Sequence, residues 1–150
     1  MWGCVWRNPA SLLDMLRLAS RPDARVHVMS AGLACCSLEF EAAVATGLLV
    51  EESGVSDAPS LASILVVAGT ITHALEPAVE KLYADLAEHA PVRVMSFGAC
   101  ATSGGPYWDA PTVAPGLGSL PVESYVPGCP PRPEALVAEL ERLVDSMALR

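Results

Sequence analysis

Four short apolar runs divide this chain: Val26-His27-Val28-Met29, Ile64-Leu65-Val66-Val67-Ala68, Val92-Arg93-Val94-Met95-Ser96-Phe97 and Val122-Glu123-Ser124-Tyr125-Val126. Each has the length of a strand, and the second is apolar without interruption, as a parallel strand buried on both faces must be. Helical spacing fills the intervals. It runs from Leu38 to about Thr46, then through Leu75, Val79, Leu82, Tyr83 and Leu86, and last through Leu136, Leu140, Leu143, Val144 and Met147. Such alternation specifies an α/β fold, with a parallel sheet, right-handed crossovers and helices on both faces. In that architecture ligands collect in the loops at the carboxyl ends of strands.

Those loops hold the cysteines. The first run leads into Gly32-Leu33-Ala34-Cys35-Cys36-Ser37-Leu38-Glu39, the third into Gly98-Ala99-Cys100-Ala101-Thr102-Ser103-Gly104-Gly105, and the fourth into Pro127-Gly128-Cys129-Pro130-Pro131. Adjacent cysteines rarely pair with each other, because the ring that results is strained. They can present two thiolates to one site that the other loops complete. A 4Fe–4S cluster needs four thiolates, apolar cover and backbone amides aimed at its sulfurs. Glycine lets the backbone approach, and successive N–H groups form anion-binding nests. The candidate ligands are Cys35, Cys36, Cys100 and Cys129, with Gly98, Gly104, Gly105 and Gly128 as the backbone around them. A structural zinc site of four cysteines competes, although zinc sites usually use C-x₂-C knuckles. A lone cysteine is ordinarily a small buried hydrophobe, which is the expectation for Cys4. His27, His73 and His89 have no placement that marks a base for a catalytic thiol. The Gly98–Gly105 segment lacks both G-x-G-x-x-G and a G-K-[ST] ending, so it is not a nucleotide loop.

Charge narrows the function further. The net charge is −8, and no Lys or Arg stands between Arg25 and Lys81, where Glu39, Glu41, Glu51, Glu52, Asp57, Glu76 and Glu80 fall. No patch here could neutralise phosphates, which excludes nucleic acid. The acidic stretch is either a solvated face or a surface that a basic partner covers. No apolar run reaches the roughly 18 to 20 residues of a spanning helix, and Met1-Trp2-Gly3-Cys4-Val5-Trp6-Arg7 is not a secretion signal. The expected location is cytosolic, or peripheral on the cytosolic side of a membrane. In that reducing compartment five cysteines indicate metal or redox chemistry, not disulfides. The leucines of Pro9–Ala19 predict an N-terminal helix, docked on the core or on a partner. The expected organisation is therefore a helical segment over residues 1–25 and an iron–sulfur α/β domain over 26–150. Ser37 is the expected cap of the next helix, Gly47 its end, and Glu51–Pro59 a loop. The Pro- and Gly-rich passage from Pro106 to Leu120 predicts a long functional loop.

Four segments taken together resemble a known family: Cys35-Cys36, Val67-Ala68-Gly69-Thr70-Ile71-Thr72, Ser96-Phe97-Gly98-Ala99-Cys100-Ala101-Thr102-Ser103-Gly104-Gly105, and Tyr125-Val126-Pro127-Gly128-Cys129-Pro130-Pro131. Their order and separations are similar to those of the B subunit of NADH:quinone oxidoreductase, respiratory complex I. That family also includes small subunits of membrane-bound nickel–iron hydrogenases and formate hydrogenlyases. The resemblance covers about residues 26 to 145. It implies a flavodoxin-like fold and one 4Fe–4S cluster held by Cys35, Cys36, Cys100 and Cys129. It also implies an electron-transfer subunit without turnover alone, on the cytoplasmic side of the cell membrane. The implied partners are a large hydrogenase-like subunit, other iron–sulfur subunits and membrane subunits. The implied acceptor is quinone at the interface with the large subunit, or in hydrogenases a nickel–iron centre.

The chain departs from the quinone-type pattern at Glu51-Glu52, where a basic segment is usual, and at His73-Ala74, where Asn-Lys is usual. Its tyrosine-rich passage is reduced to Tyr107-Trp108-Asp109-Ala110-Pro111. It departs from the standard hydrogenase small subunit at Cys35-Cys36, where Cys-x-x-Cys is expected. Glu39, three residues after Cys36, is a candidate proton acceptor linked to cluster reduction, because an added electron raises the pKa of a nearby carboxylate. The plainer reading is a carboxylate that complements the start of a helix.

Overall fold

A computed structural model describes residues 14–21, 24–30, 35–51 and 62–148 of the 150. The elements in chain order are β1 (Asp14–Leu18), β2 (Ala24–Ser30), α1 (Cys35–Ala45), β3 (Leu49–Glu51), β4 (Ala62–Ala68), α2 (Glu76–Ala87), β5 (Val92–Phe97), α3 (Ala99–Ser103), β6 (Val122–Val126) and α4 (Pro133–Ala148). One six-stranded sheet runs in the order β3-β1-β2-β4-β5-β6. The pairs β2–β4, β4–β5 and β5–β6 are parallel, in registers such as Val28↔Val66 and Val66↔Met95. Their carboxyl ends therefore lie at one end of the sheet.

Both faces are covered. Ile64, Val66 and Ala68 of β4 join Met95 and Phe97 of β5 in a core with Phe40 and Ala43 of α1 and Leu136, Leu140, Leu143 and Val144 of α4. Leu65 and Val67, on the opposite pleat, pack with Ile71, Val79 of α2 and Ala114. The two clusters explain why the β4 run reads apolar at every position, and they give the flavodoxin-like α/β architecture. The helix after β2 covers one face and the helix after β4 the other. The carboxyl ends of these neighbouring strands thus form a topological switch point, where open sheets bind ligands.

Some local expectations need correction. Asp14–Leu18 is a strand, not part of a helix, and pairs antiparallel with β2 and β3. Leu16 and Leu18 are buried while Arg17 between them is half-buried, which is the period of two that a strand requires. Residues 25 and 26 both lie in β2, which pairs with β1 in the same sheet; residues 1–13 lie outside the described residues. The sheet is therefore mixed, with an antiparallel margin of β1 and β3. Ser37 is the third residue of α1 rather than its cap, and Glu51 ends β3, with 52–61 outside the described residues. Gly47 does close α1, with Leu48 N–H donating to Ala43 C=O at 2.9 Å. The long passage from Pro106 to Leu120 opens on a 3₁₀ turn at Gly105–Tyr107 and otherwise holds an isolated antiparallel bridge of Val113 to Thr72. It is tied down by Ala114 N–H donating to Ile71 C=O at 2.9 Å.

Candidate metal centre

Parallel pairing alone brings three cysteine-bearing segments to one end of the sheet. Cys35 and Cys36 open α1 beyond β2, Cys100 lies in α3 just after β5, and Cys129 follows β6. Cys36 and Cys100 are buried at 2% and 5% exposure, whereas Cys35 and Cys129 are exposed. All four are free thiols. Cys100 sits inside a short helix, where the sequence predicted an open loop. Residues 31–34, including Gly32, and Cys4 lie outside the described residues.

The tightest approach runs through Gly98. Its φ is +90°, a conformation that favours glycine. A Cβ there would stand 2.6 Å from Cys36 Sγ and 3.6 Å from the Gly128 carbonyl oxygen. The backbone between β5 and Cys100 therefore passes directly against the Cys36 sulfur. Gly98 N–H donates to Val126 C=O at 2.9 Å and Ala99 N–H to Gly128 C=O at 2.8 Å, binding the Cys100 segment to the Cys129 segment. Gly105 packs likewise, since a Cβ there would lie 3.0 Å from Cys100 Sγ. Gly104 and Gly128 shape the loops instead of meeting sulfur. The first ends α3 with its N–H on Cys100 C=O at 2.9 Å and abuts Trp108, and the second abuts Pro131.

The four thiols influence one another electrostatically. Burial pushes the Cys36 thiol up to about 11, and Cys35, Cys100 and Cys129 each add to the rise, while a hydrogen bond from the Gly69 backbone opposes it. One buried sulfur thus senses the other three cysteines and one backbone N–H. Among the described residues, no three His, Cys, Asp or Glu side chains are gathered for a single metal ion. The two observations are compatible. Coulombic coupling reaches across several ångströms, whereas thiolates sharing one zinc at about 2.3 Å must stand within about 4 Å of one another.

The donor set fits a thiolate-bound iron–sulfur group: four thiols, two of them buried, beside a glycine backbone with no room for side chains. Glu39 stands on α1 one turn beyond Cys35, partly buried. His73 is turned to Glu76 at 2.7 Å, and His89 to the Asp85 backbone carbonyl at 2.8 Å. Sequence reasoning missed Gly69 as a contributor to the site. It stood only within the family-like segment Val67–Thr72, which ends the apolar run without a cysteine.

The family model described as NADH ubiquinone oxidoreductase, 20 kDa subunit, matches residues 11–143. The chain is 45% identical over 125 residues to a B subunit of NADH-quinone oxidoreductase (the one numbered 1) from Salinispora tropica, covering 81% of this chain and 65% of that protein. It is 37% identical to the corresponding B subunit of Amoebophilus asiaticus, covering 91% of this chain and 86% of the relative. It spans only 52% of a B subunit (numbered 2) from Streptomyces griseus, at 44% identity. Among solved structures it is similar to a chain of the membrane-bound sulfane sulfur reductase, an archaeal respiratory membrane complex. The TM-score is 0.58 at 24% identity, covering 85% of this chain and 72% of that one, a likeness of fold.

Proposed function

This chain belongs to the family of the 20 kDa subunit, or B subunit, of NADH:quinone oxidoreductase, and from that membership we propose that it is an electron-transfer subunit holding one 4Fe–4S cluster. The observation that carries the reading is the environment of Cys36. Its buried sulfur lies against Gly98 and is coupled to Cys35, Cys100 and Cys129. A bound cluster supplies one-electron storage and transfer, with no bond made to substrate. The chain's residues do the rest. Cys36 and Cys100 hold the buried side and exclude water there. Cys35 and Cys129 hold the open side. The thiols of all four give up their protons on binding metal. Gly98 and Gly105 keep side chains away from the sulfurs, and Gly69 N–H offers a hydrogen bond to Cys36. Glu39 is proposed as a proton acceptor linked to reduction, on the strength of its place one turn from Cys35.

The acceptor is proposed to be quinone, at an interface with a large hydrogenase-like subunit. Exposed Cys35 and Cys129 support an interface at this end, as does Trp108, 71% exposed and just beyond Gly104-Gly105. Other iron–sulfur subunits and membrane subunits complete the proposed complex, with this chain peripheral on the cytoplasmic side. No helix among the described residues is long and apolar enough to cross a membrane. Freeze-quench electron paramagnetic resonance on the assembled complex tests the reading. NADH should produce a reduced-cluster signal that added quinone abolishes, and Glu39→Gln should make its potential less pH-dependent. A signal that responds to hydrogen or formate but not to NADH would replace the quinone acceptor with a hydrogenase-type one.

A further inference from the structure

Behind the Cys100 segment lies a short chain of hydroxyl and peptide groups. Thr102 Oγ1 donates to the Gly98 carbonyl at 2.8 Å and lies 3.0 Å from Ser96 Oγ. A hydroxyl carries one proton, and the Thr102 proton is committed to a carbonyl that can only accept. Ser96, fully buried at the end of β5, must therefore donate to Thr102. The Gly98 carbonyl also receives the Thr102 backbone N–H at 3.2 Å. Across the same peptide, Ala99 N–H donates to Gly128 C=O at 2.8 Å. The Gly128 carbonyl in turn belongs to the peptide that carries the Cys129 amide. The sequence is Ser96 hydroxyl, Thr102 hydroxyl, Gly98–Ala99 peptide, Gly128–Cys129 peptide, every donor facing the same way.

We propose that Thr102 is a positioning residue for the cluster: its hydroxyl relays the Ser96 proton donor into the Gly98 peptide, fixing that backbone against Cys36 and polarising the peptide of Cys129. The proposal rests on the cluster reading above. Aligned hydrogen bonds strengthen one another in a low-dielectric interior. The last peptide of the chain, Gly128–Cys129, presents a more positive N–H, which favours the reduced, more negative form of a nearby cluster.

Redox titration of the full chain, followed by electron paramagnetic resonance and iron analysis, tests this. Thr102→Val keeps the shape of the side chain and removes the hydroxyl. It should retain iron and shift the midpoint potential downward, with Thr102→Ser restoring it. An unshifted or raised potential in Thr102→Val, or no restoration in Thr102→Ser, overturns the proposal while the cluster stands. If Thr102→Val does not hold iron, Ser96→Ala decides, because it leaves the Thr102–Gly98 bond intact. A smaller downward shift supports the relay and no shift overturns it. Wild-type protein without iron or signal overturns the cluster reading itself, and the relay's role falls with it.

Discussion

At Gly98 two constraints fall on one residue: a φ of +90° and a sulfur 2.6 Å from where a side chain would begin. Strain of that backbone kind costs about 1–3 kcal/mol in a residue with a Cβ. Gly98→Ala should lower thermal stability and cut iron per chain together. A variant that binds iron normally would show that Gly98 does not shape the site. Cys36 gives a second expectation, for the cluster-free chain. Burial and its three neighbours raise its folded pKa to about 11 from an ordinary 9.0. Less of it is thiolate at pH 8, so iodoacetamide should modify exposed Cys35 and Cys129 well before Cys36, as read by peptide mass spectrometry. The sign for stability follows. A raised acid pKa contributes stability that is whole below pH 9 and lost as pH rises through 11, because the unfolded thiol ionises first. A cluster-free melting temperature that does not fall across that window would contradict the environment described.

Between elements, the site depends on how α1, β5, β6 and α4 are held together. Phe40, one turn after Cys36, meets Phe97, the residue before Gly98, edge to face at 5.2 Å between ring centres. Phe97→Ala should cost about 3–5 kcal/mol in chemical denaturation, as large-to-small core changes do, and should loosen the Cys36–Gly98 approach. Glu139 of α4 accepts from Ser124 of β6 and from Arg142 at 2.8 and 2.6 Å. The Arg142 bond is the main cause holding its carboxyl below the usual range, with Ser124 adding to it. Glu139→Gln should cost about 0.5–1 kcal/mol at pH 7. The deficit should vanish as pH falls through the lowered folded pKa, where the wild-type carboxylate is protonated too.

Strands β4, β5 and β6 and helices α2 and α4 carry their own period and are read from it. β1 is hidden because Leu16 and Leu18 stand among other leucines that mimic a helical run. β3 is three residues long and exists through its pairing with β1, and α3 is too short to show a period. The cysteines are legible because each follows an apolar run. The Gly69 amide and the Ser96–Thr102 pair are not, because their partners are defined only once the chain has folded.

For the molecule as a whole, parallel pairing concentrates four thiols at one end of a sheet whose chain carries a net charge of −8. That charge predicts no electrophoretic shift of duplex DNA even at low salt, where non-specific binding is strongest. A shift would require a basic surface that the sequence does not contain. The central claim is that Cys35, Cys36, Cys100 and Cys129 act as one ligand set. It is tested most directly by metal analysis with electron paramagnetic resonance on anaerobically purified protein, before and after dithionite. About four irons per chain and a 4Fe–4S signal on reduction, lost in Cys100→Ser, are the expected result. Stoichiometric zinc with no iron and no signal would contradict it and make the four cysteines a structural staple.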